Sequence, residues 1–235
     1  MSSAQRVCVI TGGSRGIGLA TALRFARGGA SVVIAARDPT ALQTAVEQIR
    51  RTGAACEAVP VDVAMRAGVE EVIDVARARF GRVDVLVNNV GFAPLAPVER
   101  TSDDDFEHCV GVNIAAVFYA TRAVWPLMRA QGGGVIVNVS SMASVDPFAG
   151  FAVYGACKAW VNLFTKAVAE EGRPLGIRVF AVAPGAVETA LLRRHFPYFP
   201  AEQTLDPGEV AAVIEDVCAE RTAHRVGETI FVRKQ

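Results

Sequence analysis

Tyr154 and Lys158 stand four residues apart in the segment Tyr154-Gly-Ala-Cys-Lys158, which has the pattern of a helix. At that spacing the two side chains lie on one helix face, one turn apart. A phenol ordinarily has a pKa of ~10 and an alkyl ammonium group one of ~10.4. A nearby positive charge favours the phenolate and lowers the pKa of the phenol, so the pair predicts a proton donor that works near neutral pH. Many helices carry Tyr and Lys at this spacing for packing alone, so the interpretation depends on the surrounding elements.

A glycine-rich segment near the N-terminus has the composition of a phosphate-binding loop. The segment Thr11-Gly-Gly-Ser-Arg-Gly-Ile-Gly18 directly follows an apolar run and opens a helical pattern. Glycines let the backbone turn tightly and approach a pyrophosphate, while the helix N-terminus offers free N–H groups and a positive dipole end. A glycine-rich turn alone is weak evidence, but its place between the first strand and the first helix favours a dinucleotide site. Its spacing, Thr-Gly-x-x-x-Gly-x-Gly, differs from the ordinary Gly-x-Gly-x-x-Gly motif.

The elements that must position these residues alternate between short apolar runs and longer helical patterns. Several runs are almost entirely Val, Ile and Ala, which is typical of strands buried on both faces of a parallel sheet. Repeated strand–helix alternation predicts right-handed crossovers. We therefore predict a single α/β domain over residues 1–235, a Rossmann-like doubly wound parallel sheet with helices on both faces. The predicted strands are 6–11, 31–36, 56–61, 83–88, 135–140, 177–183 and 229–232. The predicted helices are 16–27, one that opens at Asp38–Pro39, 101–129 with a break near its start, 153–170 and 207–218.

The tip of the second predicted strand bears on which dinucleotide is bound. An acidic residue there would hold the ribose 2′-hydroxyl of NAD, whereas an arginine accommodates the 2′-phosphate of NADP. The tip reads Ala36-Arg37-Asp38, and Arg15 in the glycine-rich loop adds a second positive charge. Asp38 precedes a proline, a pattern typical of a helix N-cap. The two arginines favour NADP over NAD.

Composition excludes several other classes of protein. Lys plus Arg and Asp plus Glu both number 24, so no basic excess indicates nucleic-acid binding. No uninterrupted apolar run approaches a membrane span, and residues 1–5 lack the features of a signal peptide, so we expect a soluble cytoplasmic protein. The five cysteines are scattered and odd in number, which disfavours a disulfide framework or a zinc site, and no metal is expected. Cys157, beside Lys158, points to another side of the helix, which disfavours a catalytic role.

Six motifs in register resemble the short-chain dehydrogenases/reductases over essentially the whole chain. They are the glycine-rich loop, Asn88-Asn-Val-Gly91, Asn113, Ser140-Ser141, Tyr154-x-x-x-Lys158 and Pro184-Gly-x-x-x-Thr189. The chain looks like the compact branch that includes 3-oxoacyl-carrier-protein reductases and 3-hydroxy acid dehydrogenases. Two departures stand out. Val90 replaces the family's usual alanine, which adds bulk near the cofactor. The ending Val232-Arg-Lys-Gln lacks the Asp-Gly-Gly of the acyl-carrier branch, which puts the tetramer contact made by that ending in doubt.

The resemblance implies catalytic roles for four residues. Ser141, which fits the family's distance to the tyrosine better than Ser140, would hydrogen-bond the substrate oxygen. Tyr154 would exchange a proton with that oxygen as general acid or base. Lys158 would lower the pKa of Tyr154 and bind the nicotinamide ribose. Asn113 would help to hold a water that relays protons towards Lys158.

The resemblance also implies a cofactor site. Asp62 and Val63 would flank the adenine, Asn89 and Gly91 would line the cleft, and Val187 and Thr189 would contact the nicotinamide amide. The full predicted set is Gly12, Ser14, Arg15, Gly16, Ile17, Gly18, Arg37, Asp62, Val63, Asn89, Gly91, Tyr154, Lys158, Pro184, Gly185, Val187 and Thr189.

The substrate side is less readable from the sequence. The family's substrate lid corresponds to about 190–206. Aromatic residues that could form the lid and pocket wall are Phe92, Phe148, Phe151, Phe196, Tyr198 and Phe199. Arg193 and Arg194 could meet an acidic substrate group, although paired arginines in a loop are more often solvated. His195 could act as a base, but the tyrosine makes that role unnecessary.

The leading hypothesis is an NADP(H)-dependent enzyme that transfers a hydride between the nicotinamide and a small-molecule carbonyl or alcohol. The resemblance implies a homodimer or homotetramer that assembles through the helices that hold Asn113 and Tyr154. No nucleic-acid or membrane partner is expected. A second hypothesis is a pathway-specific reductase of a bulky cyclic ketone or pterin. A third is a catalytically silent NADP-binding sensor or scaffold, against which the intact Ser141, Tyr154 and Lys158 count.

Overall fold

The computed structural model describes residues 5–234 and contains one seven-stranded sheet with helices on both faces. Residues 1–4, which form most of the segment examined for a signal peptide, lie outside the described residues. Gln235, the last residue of the C-terminal ending, also lies outside them. All strand pairs are parallel, in the order β3-β2-β1-β4-β5-β6-β7. The strands are β1 Val7–Thr11, β2 Ser31–Ala36, β3 Cys56–Pro60, β4 Val85–Asn88, β5 Gly134–Val139, β6 Ile177–Pro184 and β7 Thr229–Val232. The helices are α1 Gly16–Arg27, α2 Pro39–Arg50, α3 Arg66–Phe80, α4 Asp103–Val110, α5 Ala116–Ala130, α6 Ala152–Gly172, α7 Ala190–His195 and α8 Pro207–Val217. The predicted doubly wound α/β fold is confirmed.

The sheet separates two apolar clusters because successive strand residues point to opposite faces. Residues such as Ile10 and Ile34 pack with α1, α2 and α8 on one face, whereas Val9 and Leu86 pack with α3, α5 and α6 on the other. Strand β1 is buried along its whole length, as the uniformly apolar runs predict. The strand order reverses between β1 and β4, and ligands of such sheets bind at the carboxyl ends of the strands beside that reversal.

The break predicted near the start of the long helical region was wrong. Helices α4 and α5 are joined by a π-helical turn, Gly111–Ala115, which keeps the helical stretch continuous from Asp103 to Ala130. A π-turn inserts one extra residue without ending the helix, and such turns often occur at functional sites. Here the turn carries Asn113.

The same stretch, Asp103–Ala130, is long and apolar enough to cross a membrane when judged by length and composition alone. The sequence prediction counted only uninterrupted apolar runs and therefore missed it. A core helix passes the same test, and one face of this stretch belongs to the buried core beneath the sheet. The buried residues of that face are Ala116, Ala120, Val124 and Met128.

Candidate active site

The glycine-rich loop of residues 12–18 connects β1 to α1 at the point of strand reversal. Gly12 and Gly16 have φ angles of +67° and +55°, a left-handed conformation that glycine adopts without strain. A Cβ atom at Gly18 would lie 2.2 Å from the carbonyl oxygen of Gly12, so the helix can approach the loop this closely only with glycine there. The Arg15 side chain makes no cap hydrogen bond to α1 within the described chain, which leaves the first-turn N–H groups available to an anion. Ser14 and Ile17 lie in the same loop and first turn.

Asn89 and Thr11 hold this loop from behind. The Asn89 side-chain amide donates hydrogen bonds to the carbonyl oxygens of Thr11 (3.0 Å) and Gly12 (3.2 Å). The Thr11 hydroxyl accepts from the backbone N–H of Asn89 at 3.0 Å. Asn89 therefore fixes the shape of the loop with its side chain, in addition to lying beside the cleft. Thr11 was missed as a site residue, although its place at the start of the glycine motif could have indicated it.

The tip of β2 carries an exposed arginine. The Arg37 guanidinium lies 4.0 Å from the Asp62 carboxylate, which follows β3. Asp38 caps α2 by accepting from the backbone N–H groups of Thr40 and Ala41, as predicted. Asp38 is therefore engaged in the helix, and Arg37 is the charged side chain at this tip that extends outwards. Val63, next to Asp62, is buried.

Tyr154, Ser141 and Lys158 converge at the carboxyl ends of β5 and β4. Tyr154 and Lys158 lie one turn apart on α6, and the Lys158 Nζ atom lies 5.7 Å from the centroid of the tyrosine ring. Lys158 is 2% exposed, and its ammonium group donates to the carbonyl oxygen of Val139 at 2.8 Å. The Ser141 side chain is near enough to Tyr154 to lower the pKa of the phenol, whereas the Ser140 hydroxyl donates to the backbone carbonyl of Lys158 at 3.2 Å. The structure thus brings Ser141, rather than Ser140, to the phenol.

Burial dominates the proton affinities of this cluster. Loss of hydration raises the pKa of Tyr154 from 10.0 to about 12, opposed by the neighbouring Ser141 side chain. Loss of hydration also lowers the pKa of Lys158 from 10.5 to about 8. Burial, rather than Lys158, sets the direction of the Tyr154 shift, because loss of water disfavours the charged form of both groups. The lowering effect of Lys158 on the pKa of Tyr154 stays a prediction. Sequence spacing shows that the two groups are close, but it does not show how little water reaches them.

Asn113 and Gly91 border the amine of Lys158. Asn113 is fully buried, and its side-chain amide donates to the carbonyl oxygens of Phe92 (2.7 Å) and Cys109 (2.9 Å). Among residues 5–234, its Oδ1 atom is one of three buried side-chain atoms without a hydrogen-bond partner. A Cβ atom at Gly91 would lie 3.5 Å from that oxygen and 3.7 Å from Lys158 Nζ, so both polar atoms border the space beside Gly91. An acceptor and a donor bordering one space fit a bridging water or a ligand hydroxyl.

The segment after β6 closes the far side of the cleft. Pro184 ends β6, the Gly185 backbone N–H donates to Val232, and Val187 pairs with Leu205. Thr189 caps α7, and its methyl group lies 3.2 Å from the position of a Cβ atom on Gly16. This segment therefore lies against the phosphate loop.

Arg193 joins neighbouring parts of the lid segment through its guanidinium group. Its guanidinium pairs with Glu188 and donates to the carbonyl oxygens of Pro197 (3.3 Å) and Phe199 (2.6 Å). The expectation that Arg193 is solvated was therefore wrong, whereas Arg194 is exposed. Sequence pattern gave no indication of these partners because two of them are backbone carbonyls.

An aromatic wall stands beside Tyr154. The Phe151 ring lies 5.3 Å from the Tyr154 ring and stacks on Phe148 at 4.8 Å, and Phe196 of the lid meets both phenylalanines edge-on. Burial lowers the pKa of His195, next to Phe196, which favours its neutral form. Tyr198 is 96% exposed and contributes little to this wall. Phe92 packs instead against His108.

These features fit a dinucleotide better than a metal ion. The glycine loop leaves no room for a Cβ atom at Gly18 and presents uncapped N–H groups, while Asn113 turns an unpaired oxygen towards the same cleft. Among residues 5–234, no group of three His, Cys, Asp or Glu side chains could hold a metal ion. The family model described as short chain dehydrogenase matches residues 6–197, which is most of the chain.

The chain belongs to the short-chain dehydrogenase family. It is 34% identical over 239 residues to 3beta-hydroxysteroid dehydrogenase 1 of Eggerthella lenta, covering 97% of this chain and 92% of the relative. The crystal structure of 3-ketoacyl-(acyl-carrier-protein) reductase from Brucella melitensis with NADH superposes with a TM-score of 0.90 at 33% identity, covering 99% of this chain and 98% of that one. The structure of L-sorbose reductase from Gluconobacter frateurii with NADPH and L-sorbose superposes with a TM-score of 0.92 at 30% identity, covering 100% and 97%. The protein is thus an oxidoreductase of a family that acts on alcohol and carbonyl groups.

In this short-chain dehydrogenase a buried polar network lies beneath the site and was missed from the sequence. Asn88 at the end of β4 donates to Asn138 of β5 at 2.8 Å, and Asn138 donates to the Thr165 hydroxyl of α6 at 2.9 Å. The network ties two strands to the helix that carries Tyr154 and so helps to fix its position. The presence of two asparagines in otherwise apolar strands could have indicated this network, because buried polar side chains are almost always hydrogen-bonded.

Proposed function

We propose that the protein is an NADP(H)-dependent oxidoreductase that interconverts a carbonyl and an alcohol, with Tyr154 as the general acid or base. The observation that carries the proposal is the convergence of Tyr154, Ser141 and Lys158 beside a glycine loop suited to a pyrophosphate. When bound, a nicotinamide dinucleotide supplies or accepts the hydride. The residues of this chain bind, orient and move protons.

In the reducing direction, Ser141 and Tyr154 donate hydrogen bonds to the substrate oxygen and Tyr154 Oη then gives up its proton. An alcohol is about as weak an acid as water, with a pKa of ~15.7, whereas the pKa of Tyr154 is about 12. Proton transfer from Tyr154 to a developing alkoxide is therefore downhill even though burial has raised the pKa of the phenol. A water held by Asn113 Oδ1, an acceptor, and Lys158 Nζ, a donor, would carry a proton from the Lys158 ammonium group to the phenolate.

Replacing only the phenol oxygen tests this role. Tyr154→Phe should lower kcat by at least ~100-fold, since a positioned acid contributes ~10²–10⁴-fold, while the dissociation constant of NADPH changes less than about threefold. Tyr119→Phe, a half-buried tyrosine on α5, is the matched control and should keep full activity. Full turnover by Tyr154→Phe would exclude Tyr154 as the acid. Tight NADPH binding by the wild-type chain without turnover of any ketone, 3-oxoacyl thioester or 3-oxo acid would favour the sensor or scaffold hypothesis.

The preference for NADP is supported by Arg37, which extends from the tip of β2, while Asp38 is engaged as a helix cap. The Asp62 carboxylate, 4.0 Å from Arg37, is close enough to hold the guanidinium beside a ribose. Arg37→Ala should raise the dissociation constant of NADPH by roughly tenfold or more, because hydrogen bonds to charged groups contribute about 1.5–3 kcal/mol. The constant for NADH should change little. Arg51→Ala, an exposed arginine after α2, is the control, and equal effects of Arg37→Ala on the two cofactors would refute the preference.

The aromatic wall supports a neutral, apolar carbonyl substrate. Phe148, Phe151 and Phe196 surround the approach to Tyr154, and Arg193, a nearby cation, is already paired with Glu188. A steroid dehydrogenase among the relatives is consistent with a bulky cyclic ketone. We expect kcat/KM to be higher for alicyclic or aryl ketones than for 3-oxo acids of similar size. The reverse order would favour an acidic substrate.

An apolar patch on α5 and α6 supports assembly into a homodimer or homotetramer. Leu163 is 69% exposed and Phe118 40% exposed, and the Trp160 and Phe164 rings stack beside them at 4.6 Å. Patches of this kind mark protein interfaces. Sedimentation analysis of Leu163→Glu should show a shift towards monomer. The cytoplasmic location remains part of the same proposal.

A further inference from the structure

Cys109 and Cys157 face each other between α4 and α6, behind the proposed catalytic residues. Their sulfur atoms lie 3.9 Å apart, and the two residues are 0% and 3% exposed. All five cysteines lie within residues 5–234 and are buried free thiols. The other three are in β1, in β3 and at the end of α8.

The pair is joined to the site through both helices. Cys109 lies one helical turn before Asn113, whose side-chain amide is 3.4 Å from the Cys109 sulfur. Cys157 immediately precedes Lys158 and lies three residues after Tyr154. The Cys109 sulfur is also 3.6 Å from the carbonyl oxygen of Phe92. A movement of the Cys109 sulfur would therefore shift Asn113, and a movement of the Cys157 sulfur would shift Lys158. Both of these residues border the proposed proton path.

The environment also activates one of the two sulfurs. A hydrogen bond from the Cys109 thiol and the nearby charge of Lys158 lower the pKa of Cys157. The same hydrogen bond raises the pKa of Cys109. Cys157 is therefore the better nucleophile of the pair and Cys109 the resolving partner, because the thiolate is the reactive form.

We propose that Cys109 and Cys157 form a dithiol redox site in which hydrogen peroxide converts the pair into a disulfide that joins α4 to α6 and suppresses turnover. The Cys157 thiolate attacks the peroxide, forming an S–O bond as the O–O bond breaks, and the hydroxide released takes a proton to become water. The Cys109 sulfur then attacks Cys157, the S–S bond forms, the S–O bond breaks, and the second hydroxide leaves as water with the Cys109 proton. Two thiols are oxidised by two electrons and one peroxide is reduced to two waters.

Formation of the disulfide requires a movement of the two sulfur atoms that would displace the proposed catalytic residues and lower kcat. A disulfide has an S–S length of ~2.05 Å, so the two sulfurs must approach by about 2 Å from their present separation. Lys158 follows Cys157 directly, and its ammonium group is held 2.8 Å from Val139. A misplacement of about 1 Å can lower a rate by ~10²-fold. We therefore expect at least a tenfold loss of kcat.

The test uses the full-length protein with hydrogen peroxide as oxidant. Peptide mapping by mass spectrometry without reduction should show a Cys109–Cys157 cross-link, a fall from five free thiols to three, and a loss of kcat that dithiothreitol restores. Cys157→Ser should keep its turnover under the same peroxide exposure, whereas Cys56→Ser, which retains the pair, should lose turnover as the wild type does. A disulfide elsewhere, equal losses in Cys157→Ser, or a Cys109–Cys157 disulfide with unchanged kcat would each overturn the proposal.

A second measurement does not depend on the proposed enzyme activity. Phenylarsine oxide condenses with two adjacent thiols, releasing one water and leaving arsenic bonded to both sulfurs. The wild-type chain should retain one equivalent against excess monothiol, and Cys109→Ser and Cys157→Ser should retain none. Retention by either variant, or none by the wild type, would show that the two thiols do not act as a pair.

Discussion

Lys158 should make the folded protein less stable at neutral pH than it would be with an apolar residue in its place. The side chain is 2% exposed, and burial lowers its pKa from 10.5 to about 8. That difference corresponds to about 3 kcal/mol of preference for the neutral amine in the folded state. The cost is fully present below pH 8, where Lys158 is charged in both the folded and the unfolded chain.

The sign of the pH dependence follows from counting protons. Between pH 8 and 10.5 the unfolded lysine keeps a proton that the folded one has lost, so the free energy of unfolding rises with pH across this window. Above pH 10.5 the amine is neutral in both states and the cost is absent. Tyr154 also titrates at high pH and is present in both proteins of a matched comparison. The thiols of Cys109 and Cys157 do not cancel completely, because the charge of Lys158 acts on both of them.

Lys158→Met removes the buried charge while keeping a long apolar side chain. The variant loses the hydrogen bond to Val139, which contributes about 1 kcal/mol. At pH 7 it should therefore exceed the wild type in unfolding free energy by about 2 kcal/mol. The advantage should disappear by pH 10.5. The variant should also be inactive, because the gain comes from removing a proposed catalytic group.

Urea denaturation followed by tryptophan fluorescence, at fixed protein concentration and at pH 7, 8, 9 and 10.5, measures this difference directly. Lys166→Met is the matched control because Lys166 is an exposed lysine on the same helix. Its effect should stay within about 0.5 kcal/mol at every pH. A constant difference between wild type and Lys158→Met from pH 7 to 10.5, or a less stable variant at pH 7, would refute the reasoning.

Two further predictions concern the lid and the last helix. Arg193→Ala removes the contacts that hold the lid together, so KM should rise several-fold with little change in Tm. Arg194→Ala is the control and should leave steady-state kinetics unchanged. Equal effects of the two variants would contradict the role of Arg193 in the lid. Asp206→Ala removes a capping box at the start of α8 and should lower stability by about 1 kcal/mol, or Tm by roughly 2–4 °C. Asp206→Asn should retain most of that stability in a thermal melt, and a loss as large as that of the alanine variant would argue against capping.

The fold could be predicted from the sequence because its signals are local. Uniformly apolar runs such as Val7–Thr11 have one stable arrangement, a strand covered on both faces. The cap at Asp38 follows from the proline after it. The π-turn at Gly111–Ala115 could not be predicted in this way, because adding one residue to a helix leaves the apolar pattern nearly unchanged.

The closeness of Tyr154 and Lys158 was predictable from the sequence, but the energetics of the candidate site were not. The spacing of Tyr154 and Lys158 shows that the groups are close, whereas their pKa values depend on layers of protein contributed by distant segments. The contacts of Arg193 with backbone carbonyls, and the approach of Cys109 to Cys157 across 48 residues, likewise arise only from the tertiary structure.

The π-turn makes the register of the site depend on a single residue. Each residue of an α-helix advances the chain by about 100° around the axis. Deleting Ala115, the last residue of the π-turn, would restore ordinary helix and turn the residues before it, Asn113 and Cys109 included, by about that angle relative to α5. The buried face of α5 fixes one half of this stretch against the sheet, so the other half would swing away from Lys158. The protein thus uses one surplus residue as a rotational offset between the part of the helix that builds the core and the part that serves the active site.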